Sequence, residues 1–173
     1  MSNLLHLTTD DFFIAKGAKG QILCSEVQGL CLVLFHAENG SCHHCDEAIP
    51  EFKKVARTIP SVKFGLTNLS RNPGLIEMSS KTVAPFEYVP YIILYYDGKP
   101  LARYEGERSS NDFGEFVQEM AMRIQATKKN FVNKPMKMES EVPVYGGIPF
   151  NIVCDEDRGI CYLTASQVYG NKK

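Results

Sequence analysis

The chain has 173 residues, of which 44% are hydrophobic and 23% are charged, and this composition is ordinary for a globular protein. Its formal net charge of -1 argues against a nucleic-acid-binding surface, and no apolar run approaches the roughly 18 residues that a membrane span needs. The first residues lack the basic region and long apolar core of a signal peptide, so we expect a cytoplasmic protein with neither nucleic acid nor a membrane among its partners.

The first predicted elements alternate between short strands and short helices. Residues 4–7 are predicted as a strand, and residues 8–11 supply helix-capping side chains for a short helix that carries Phe12, Phe13 and Ile14. Residues 21–27 fit either a strand or a second short helix. The apolar run at 30–35 predicts a central strand that is buried on both faces.

The middle of the chain predicts further alternation of helices and strands. A helix is expected at 46–58 with Pro50 inside it, then a strand at 61–67 and a short helix at 75–81. A strand at 89–96 is followed by an Asp97-Gly98 turn and a returning strand at 101–104. A long amphipathic helix then ends near residue 129.

The composition changes near residue 129, and we divide the chain there into a domain at 1–128 and a C-terminal extension at 129–173. Residues 134–138 have the composition of a linker, and residues 151–163 predict a β-hairpin with a charged turn. The apolar side chains of the extension favour docking, either onto its own domain or onto a partner.

The six cysteines are too sparse for a disulfide scaffold, but Cys42 and Cys45 form a C-x-x-C pair. In a reducing compartment such a pair is more often catalytic or metal-binding than structural. The pair lies between a predicted strand and a predicted helix. Cys42 would therefore occupy the helix N-terminus, where unpaired N–H groups stabilise a thiolate, and Cys45 would lie one turn inside.

From residue 4 to about residue 124, the chain resembles the thioredoxin family. The residues that carry the resemblance are the C-x-x-C at a strand-to-helix junction, Pro50 five residues after Cys45, the Val89-Pro90 pair, and the glycines at 98 and 106. The resemblance implies an α/β fold, a thioredoxin-like three-layer sandwich with a central mixed sheet, to which the extension adds a β-hairpin.

The resemblance also implies a thiol–disulfide oxidoreductase that exchanges disulfides with protein substrates and binds no organic cofactor. Cys42 would attack and Cys45 would resolve the mixed disulfide. A cis Val89–Pro90 bond would lie over the two sulfurs, exclude metal and present the Val89 backbone to an extended substrate.

His43 and His44 occupy the two positions between the sulfurs, where residues tune the redox potential. One histidine there, as in protein disulfide isomerases, stabilises the thiolate and raises the potential from about -270 mV toward -180 mV. Two histidines favour oxidase or isomerase activity over reductase activity. The alternative is two solvated rings with little effect.

Three positions depart from the family pattern. Ser41 stands where the family has a tryptophan, Leu34 replaces the buried acid that accepts the proton of the second cysteine, and Leu66 replaces a common lysine. Without the acid, Cys45 must lose its proton to water or to a histidine such as His36, so we expect slow turnover.

Other interpretations compete with this one. The C-H-H-C run, with Cys154 and Cys161, offers enough ligands for zinc, although the spacing of the later pair is unusual for a zinc site. Cys154 and Cys161 flank the predicted hairpin turn and are either a structural disulfide, two free thiols, or a shuttle pair for Cys42 and Cys45. The extension and the diverged site together resemble thioredoxin-like proteins of large DNA viruses. The alternative function is a binding or assembly protein, such as a component of a virus particle.

Overall fold

The computed structural model describes residues 3–130, 153–155 and 159–162. The helices are α1 (His43–Thr58), α2 (Pro73–Ser80) and α3 (Ser110–Asn130). The strands are β1 (Leu4–His6), β2 (Phe12–Gly17), β3 (Gly20–Ser25), β4 (Leu30–His36), β5 (Lys63–Asn68), β6 (Tyr88–Val89), β7 (Tyr91–Tyr96), β8 (Lys99–Tyr104), β9 (Val153–Asp155) and β10 (Ile160–Tyr162).

Five strands form a mixed central sheet in the order β1-β5-β4-β7-β8. The first three are parallel, since β1 and β4 both run parallel to β5, whereas β7 is antiparallel to both β4 and β8. β4 is the middle strand, as the apolar run at 30–35 predicts. The expected α/β fold with a central mixed sheet is confirmed.

Alternate residues of β4 enter two separate apolar cores, one on each face of the sheet. Cys31, Val33 and Phe35 join the core that is covered by α2 and the β2–β3 hairpin. Leu32 and Leu34 join the core that is covered by α1 and α3. Because successive strand residues point to opposite faces, one uninterrupted apolar run serves both cores and the layers number three.

The short helix expected at Phe12, Phe13 and Ile14 is wrong. Only residues 9–11 form a single 3₁₀ turn, and β2 then pairs with β3 from the Phe12–Ser25 register position to the Gly17–Gly20 position. The undecided segment at 21–27 is therefore mostly strand. The two-residue loop between the glycines closes a hairpin, and cross-strand pairing outweighs the helical capping signal.

The extension contributes the predicted hairpin, in which β9 and β10 pair antiparallel. β10 also pairs antiparallel with β6, so the described part of the extension docks onto its own domain. The predicted linker at 134–138 lies outside the described residues, and the division at residue 128 stays a prediction. Within the ranges given above, no helix is long and apolar enough to cross a membrane.

Candidate active site

Cys42 is the N-cap of α1, directly after the loop that follows the central strand. Its extended backbone (φ -141°, ψ 101°) lets the side chain turn back over the first helical turn. The backbone N–H of Cys45 donates to the Cys42 sulfur at 3.2 Å. The helix N-terminus therefore supplies the donor that a thiolate at Cys42 needs.

The two cysteines have opposite acidities. A hydrogen bond from the Cys45 thiol lowers the pKa of Cys42, and burial opposes this effect without cancelling it. Burial raises the pKa of Cys45 far above the usual thiol range, and its hydrogen bond to Cys42 adds to the increase. Cys42 is thus the thiolate of the pair, and Cys45 holds its proton.

The two histidines between the cysteines have different surroundings. His43 is exposed, whereas His44 is buried, and their ring centroids lie 3.9 Å apart. The charge of His43 lowers the pKa of Cys42, although it is the smallest of the contributions. His43 therefore has an electrostatic effect on the nucleophile.

Val89 and Pro90 lie directly beside the nucleophile. The Val89–Pro90 peptide bond is cis, and both residues are buried. The Val89 carbonyl oxygen lies 3.9 Å from the Cys42 sulfur. The four positions at 42, 45, 89 and 90 thus come together at one place, at the N-terminal end of α1.

A family model described as Thioredoxin matches residues 19–119, more than half of the chain. The chain belongs to the thioredoxin family. The matched segment contains the C-x-x-C pair, the cis-proline, helices α1 and α2, and every strand of the central sheet except β1.

Two viral proteins are similar to this thioredoxin-family chain over almost its whole length. Uncharacterized protein 196R of Invertebrate iridescent virus 6 is 27% identical and covers 98% of this chain and 95% of its own length. Uncharacterized protein 020R of Invertebrate iridescent virus 3 is 28% identical and covers 96% of each. The expected resemblance to viral proteins is confirmed, and the matches take in the C-terminal extension.

Solved structures share the fold. Human ERp44 superimposes with a TM-score of 0.52 at 15% identity, covering 69% of this chain and 29% of its own. The first two thioredoxin domains of Naumovozyma dairenensis Eps1p give a TM-score of 0.51 at 23% identity, covering 62% and 40%. This chain therefore spans well under half of either solved chain, and the likeness concerns the fold.

Both cysteines of this thioredoxin-family site are sealed from solvent, with 0% of either residue exposed. Attack on a substrate requires that Cys42 be reachable, so the burial of Cys42 differs from what the sequence predicts. Ile160 of β10, itself 5% exposed, belongs to the same buried cluster as Cys42 and Val89. The extension thus contributes a side chain to the apolar core that contains the site.

Two departures from the family pattern lie in a different core from Cys45. Leu34 and Leu66 pair across β4 and β5 and are buried in the core under α1 and α3, whereas Cys45 belongs to the core on the other face of the sheet. The His36 ring donates from Nδ1 to the Ala37 carbonyl oxygen at 2.9 Å. Slow resolution by Cys45 stays a prediction.

Arg108 is the site residue that sequence reasoning missed. Its charge lowers the pKa of Cys45, partly offsetting burial, so the guanidinium group lies within electrostatic reach of the pair. The same guanidinium donates to the Gly159 carbonyl oxygen at the hairpin turn. Arg108 lies 63 positions after Cys45 in a loop, and no motif marks it.

The later cysteines lie at matching register positions. Cys154 of β9 is the Cα partner of Cys161 of β10. Directly opposite residues in antiparallel strands have Cα atoms about 4.5–5.5 Å apart, within the range that disulfides require. The structural disulfide stays a prediction. Among the described residues, no group of three or more His, Cys, Asp or Glu side chains is arranged to hold a metal ion.

Glu87 is a buried carboxyl group next to β6, and burial raises its pKa to about 7 from the ordinary 4.5. Because the folded protein holds this proton more tightly than the unfolded chain, the free energy of unfolding falls as pH rises from about 4.5 to 7. We expect Glu87→Gln to raise the Tm relative to wild type at pH 8 more than at pH 5. Thermal scans at both pH values test this prediction. A Tm difference between the variant and wild type that is the same at pH 5 and pH 8 would refute it.

Proposed function

We propose that the protein is a thiol–disulfide oxidoreductase that acts on protein substrates through Cys42 and Cys45. The observation that carries the proposal is the geometry at the start of α1, where the Cys45 N–H donates to the Cys42 sulfur at 3.2 Å beside the cis Val89–Pro90 bond. The pKa shifts run the same way, since the pKa of Cys42 is lowered and that of Cys45 is raised. The membership of the thioredoxin family supports the same reaction class.

In the reducing direction, the Cys42 thiolate attacks one sulfur of a substrate disulfide. The substrate S–S bond breaks, its second sulfur leaves as a thiolate that takes a proton, and a mixed disulfide with Cys42 forms. Cys45 then loses its proton and attacks the Cys42 sulfur. The substrate leaves as a dithiol, having gained two electrons from the cysteine pair, and Cys42 and Cys45 are left joined by a disulfide. Oxidation of a substrate dithiol follows the same steps in reverse.

We further propose that the pair leans toward oxidation or isomerisation. The His43 charge and the Cys45 N–H both favour the Cys42 thiolate, and stabilising the reduced form raises the reduction potential. His44 would add to this effect as a second redox-tuning residue. No organic cofactor is needed, since the two sulfurs carry both electrons.

The substrate is proposed to bind as an extended segment along Val89, beside the cis-proline. An extended chain that adds to a strand edge gains main-chain hydrogen bonds without requiring a particular sequence. Val89 meets this need, because its carbonyl group contacts the nucleophile and its strand accepts an antiparallel partner. Action in the cytoplasm stays a prediction.

Two activity assays test the proposal: reduction of insulin disulfides and reactivation of scrambled ribonuclease. We expect wild-type protein to be active in at least the second assay, with a lag or low rate from slow resolution by Cys45. Inactivity in both assays, together with failure of Cys42 to form any mixed disulfide, would exclude the proposal.

The second candidate is a binding or assembly protein that keeps the thioredoxin fold without redox turnover. The complete burial of both thiols favours it, as does the similarity to a viral protein over 98% of the chain. Incorporation into a virus particle belongs to this candidate. It predicts that the protein co-purifies with particles and that serine at both positions 42 and 45 leaves assembly unchanged.

A further inference from the structure

Three residues that bear on the site lie in one row across three strands. Cys161 of β10 is the register partner of Val89 on one side and of Cys154 on the other. Val89 is the residue whose carbonyl oxygen contacts the Cys42 sulfur. Neighbouring strands lie about 4.8 Å apart, so the row leads from the nucleophile to Cys161 and then to Cys154 in single strand spacings.

The hairpin occupies the edge at which an external substrate would bind. Within the described ranges, the sheet that contains β6 has the order β6-β10-β9, so β10 is the strand seated on Val89. It runs antiparallel to β6, as an added substrate strand can. The protein thus carries a segment of its own chain, with a cysteine in it, in the position of a substrate.

Contacts made by the two residues before Cys161 hold the hairpin in this register. Ile160 is buried in the cluster that contains Cys42. Gly159 has a positive φ of 62°, and a Cβ there would lie 3.0 Å from Nη1 of Arg108. Only glycine fits this combination readily, and it allows Arg108 to donate to the Gly159 carbonyl oxygen. The hairpin is therefore anchored by a side chain that also faces the active cysteines.

We propose that Cys154 and Cys161 are a second redox pair, which exchanges a disulfide with Cys42 and Cys45 through an intramolecular Cys42–Cys161 bond. This proposal rests on the proposed function, because it needs Cys42 to be a nucleophile. It assigns the C-terminal hairpin as the built-in exchange partner of the site. It also explains why the site is covered rather than open.

The exchange balances within the four cysteines. The Cys42 thiolate attacks the Cys161 sulfur, the Cys154–Cys161 bond breaks, and Cys154 leaves as a thiolate that takes a proton. Cys45 then loses its proton and attacks Cys42, which breaks the Cys42–Cys161 bond and releases Cys161 as a thiol. Two electrons pass from the first pair to the second with no other oxidant; Cys45 supplies one of the two protons and solvent supplies the other, and the sequence is reversible.

The full-length double variant Cys45→Ser/Cys154→Ser tests this directly, because it removes both resolving cysteines and leaves Cys42 and Cys161, with the buried thiols Cys24 and Cys31 unchanged. The variant is equilibrated with glutathione and its disulfide, quenched with acid, alkylated and mapped by mass spectrometry. A flexibly tethered tail gives an effective concentration in the millimolar range. We expect the Cys42–Cys161 bond to show an effective concentration at least tenfold higher than that of the control.

The matched control moves the thiol by one residue, with Cys161→Ser and Tyr162→Cys added to Cys45→Ser/Cys154→Ser. A one-residue shift places a side chain on the opposite face of a strand, while the tether length hardly changes. Equal effective concentrations in the test and control variants would overturn the proposal. Bonds found only in covalent dimers would also overturn it, since the hairpin would then serve a second copy.

The outcomes separate this inference from the proposed function. If Cys42 forms mixed disulfides with insulin or glutathione but never with Cys161, the inference fails and the oxidoreductase proposal stands. If Cys42 forms no mixed disulfide with any of them, both fail. If the bond to Cys161 forms with the expected preference, the hairpin is the internal partner.

Discussion

Cys42→Ser is expected to abolish disulfide exchange, whereas Cys45→Ser should preserve the attack and accumulate mixed disulfides. Cys42 has the lowered pKa and the N–H donor of Cys45, so it is the member of the pair that forms a thiolate more readily. Loss of such a nucleophile reduces the rate on the order of 10³-fold or more. The measurement is the rate of scrambled-ribonuclease reactivation, with non-reducing gels to detect trapped species.

Cys31→Ser is the matched control for this pair of variants. Cys31 is also a fully buried free thiol, but burial raises its pKa to about 12, so it should take no part in exchange. We expect this variant to keep the wild-type rate. Equal loss of activity in Cys42→Ser and Cys45→Ser without trapped species, or trapping through Cys45 instead, would contradict the assigned order of attack.

Ile160→Asp is expected to open the site and raise the rate of Cys42 alkylation by about 10- to 150-fold. A fully buried aliphatic side chain contributes roughly 1.5–3 kcal/mol, and every 1.4 kcal/mol changes an equilibrium tenfold. Ile160 is 5% exposed in the cluster that contains Cys42, and a carboxylate there also pays for desolvation. The measurement is the rate of iodoacetamide labelling of Cys42, read by mass spectrometry under native conditions.

Two control variants accompany it. Ile160→Val keeps an apolar side chain and should change the labelling rate of Cys42 only slightly. Met122→Asp introduces the same charge at an apolar residue that is 64% exposed on α3 and should leave the rate at the wild-type value. If wild type and Ile160→Asp label equally fast, the hairpin does not cover the thiol in solution.

The sequence predicts the parts of the structure that are local. The apolar run at 30–35 marks the central strand because it must be buried on both faces, and the C-x-x-C beside it marks the start of α1. The β2–β3 hairpin was not predicted, because helix-capping side chains at residues 8–11 outweighed the glycines that flank its turn.

The parts that the sequence does not reveal are long-range. Arg108 reaches the cysteine pair from a distant loop, and the pairing of Cys161 with Val89 joins segments separated by more than 70 residues. The pattern of apolar residues within either segment does not indicate such a contact. The entry of Ile160 into the core that contains Cys42 is equally long-range, and no local pattern predicts it.

A glutathione redox titration of Cys42 and Cys45 tests the central claim most directly, in a Cys154→Ser/Cys161→Ser background that leaves this pair and the buried thiols Cys24 and Cys31. We expect one two-electron couple with a reduction potential near -180 mV, above the roughly -270 mV of a reducing thioredoxin. A value near -270 mV would contradict the oxidising assignment. The absence of any measurable dithiol–disulfide couple would contradict the oxidoreductase itself.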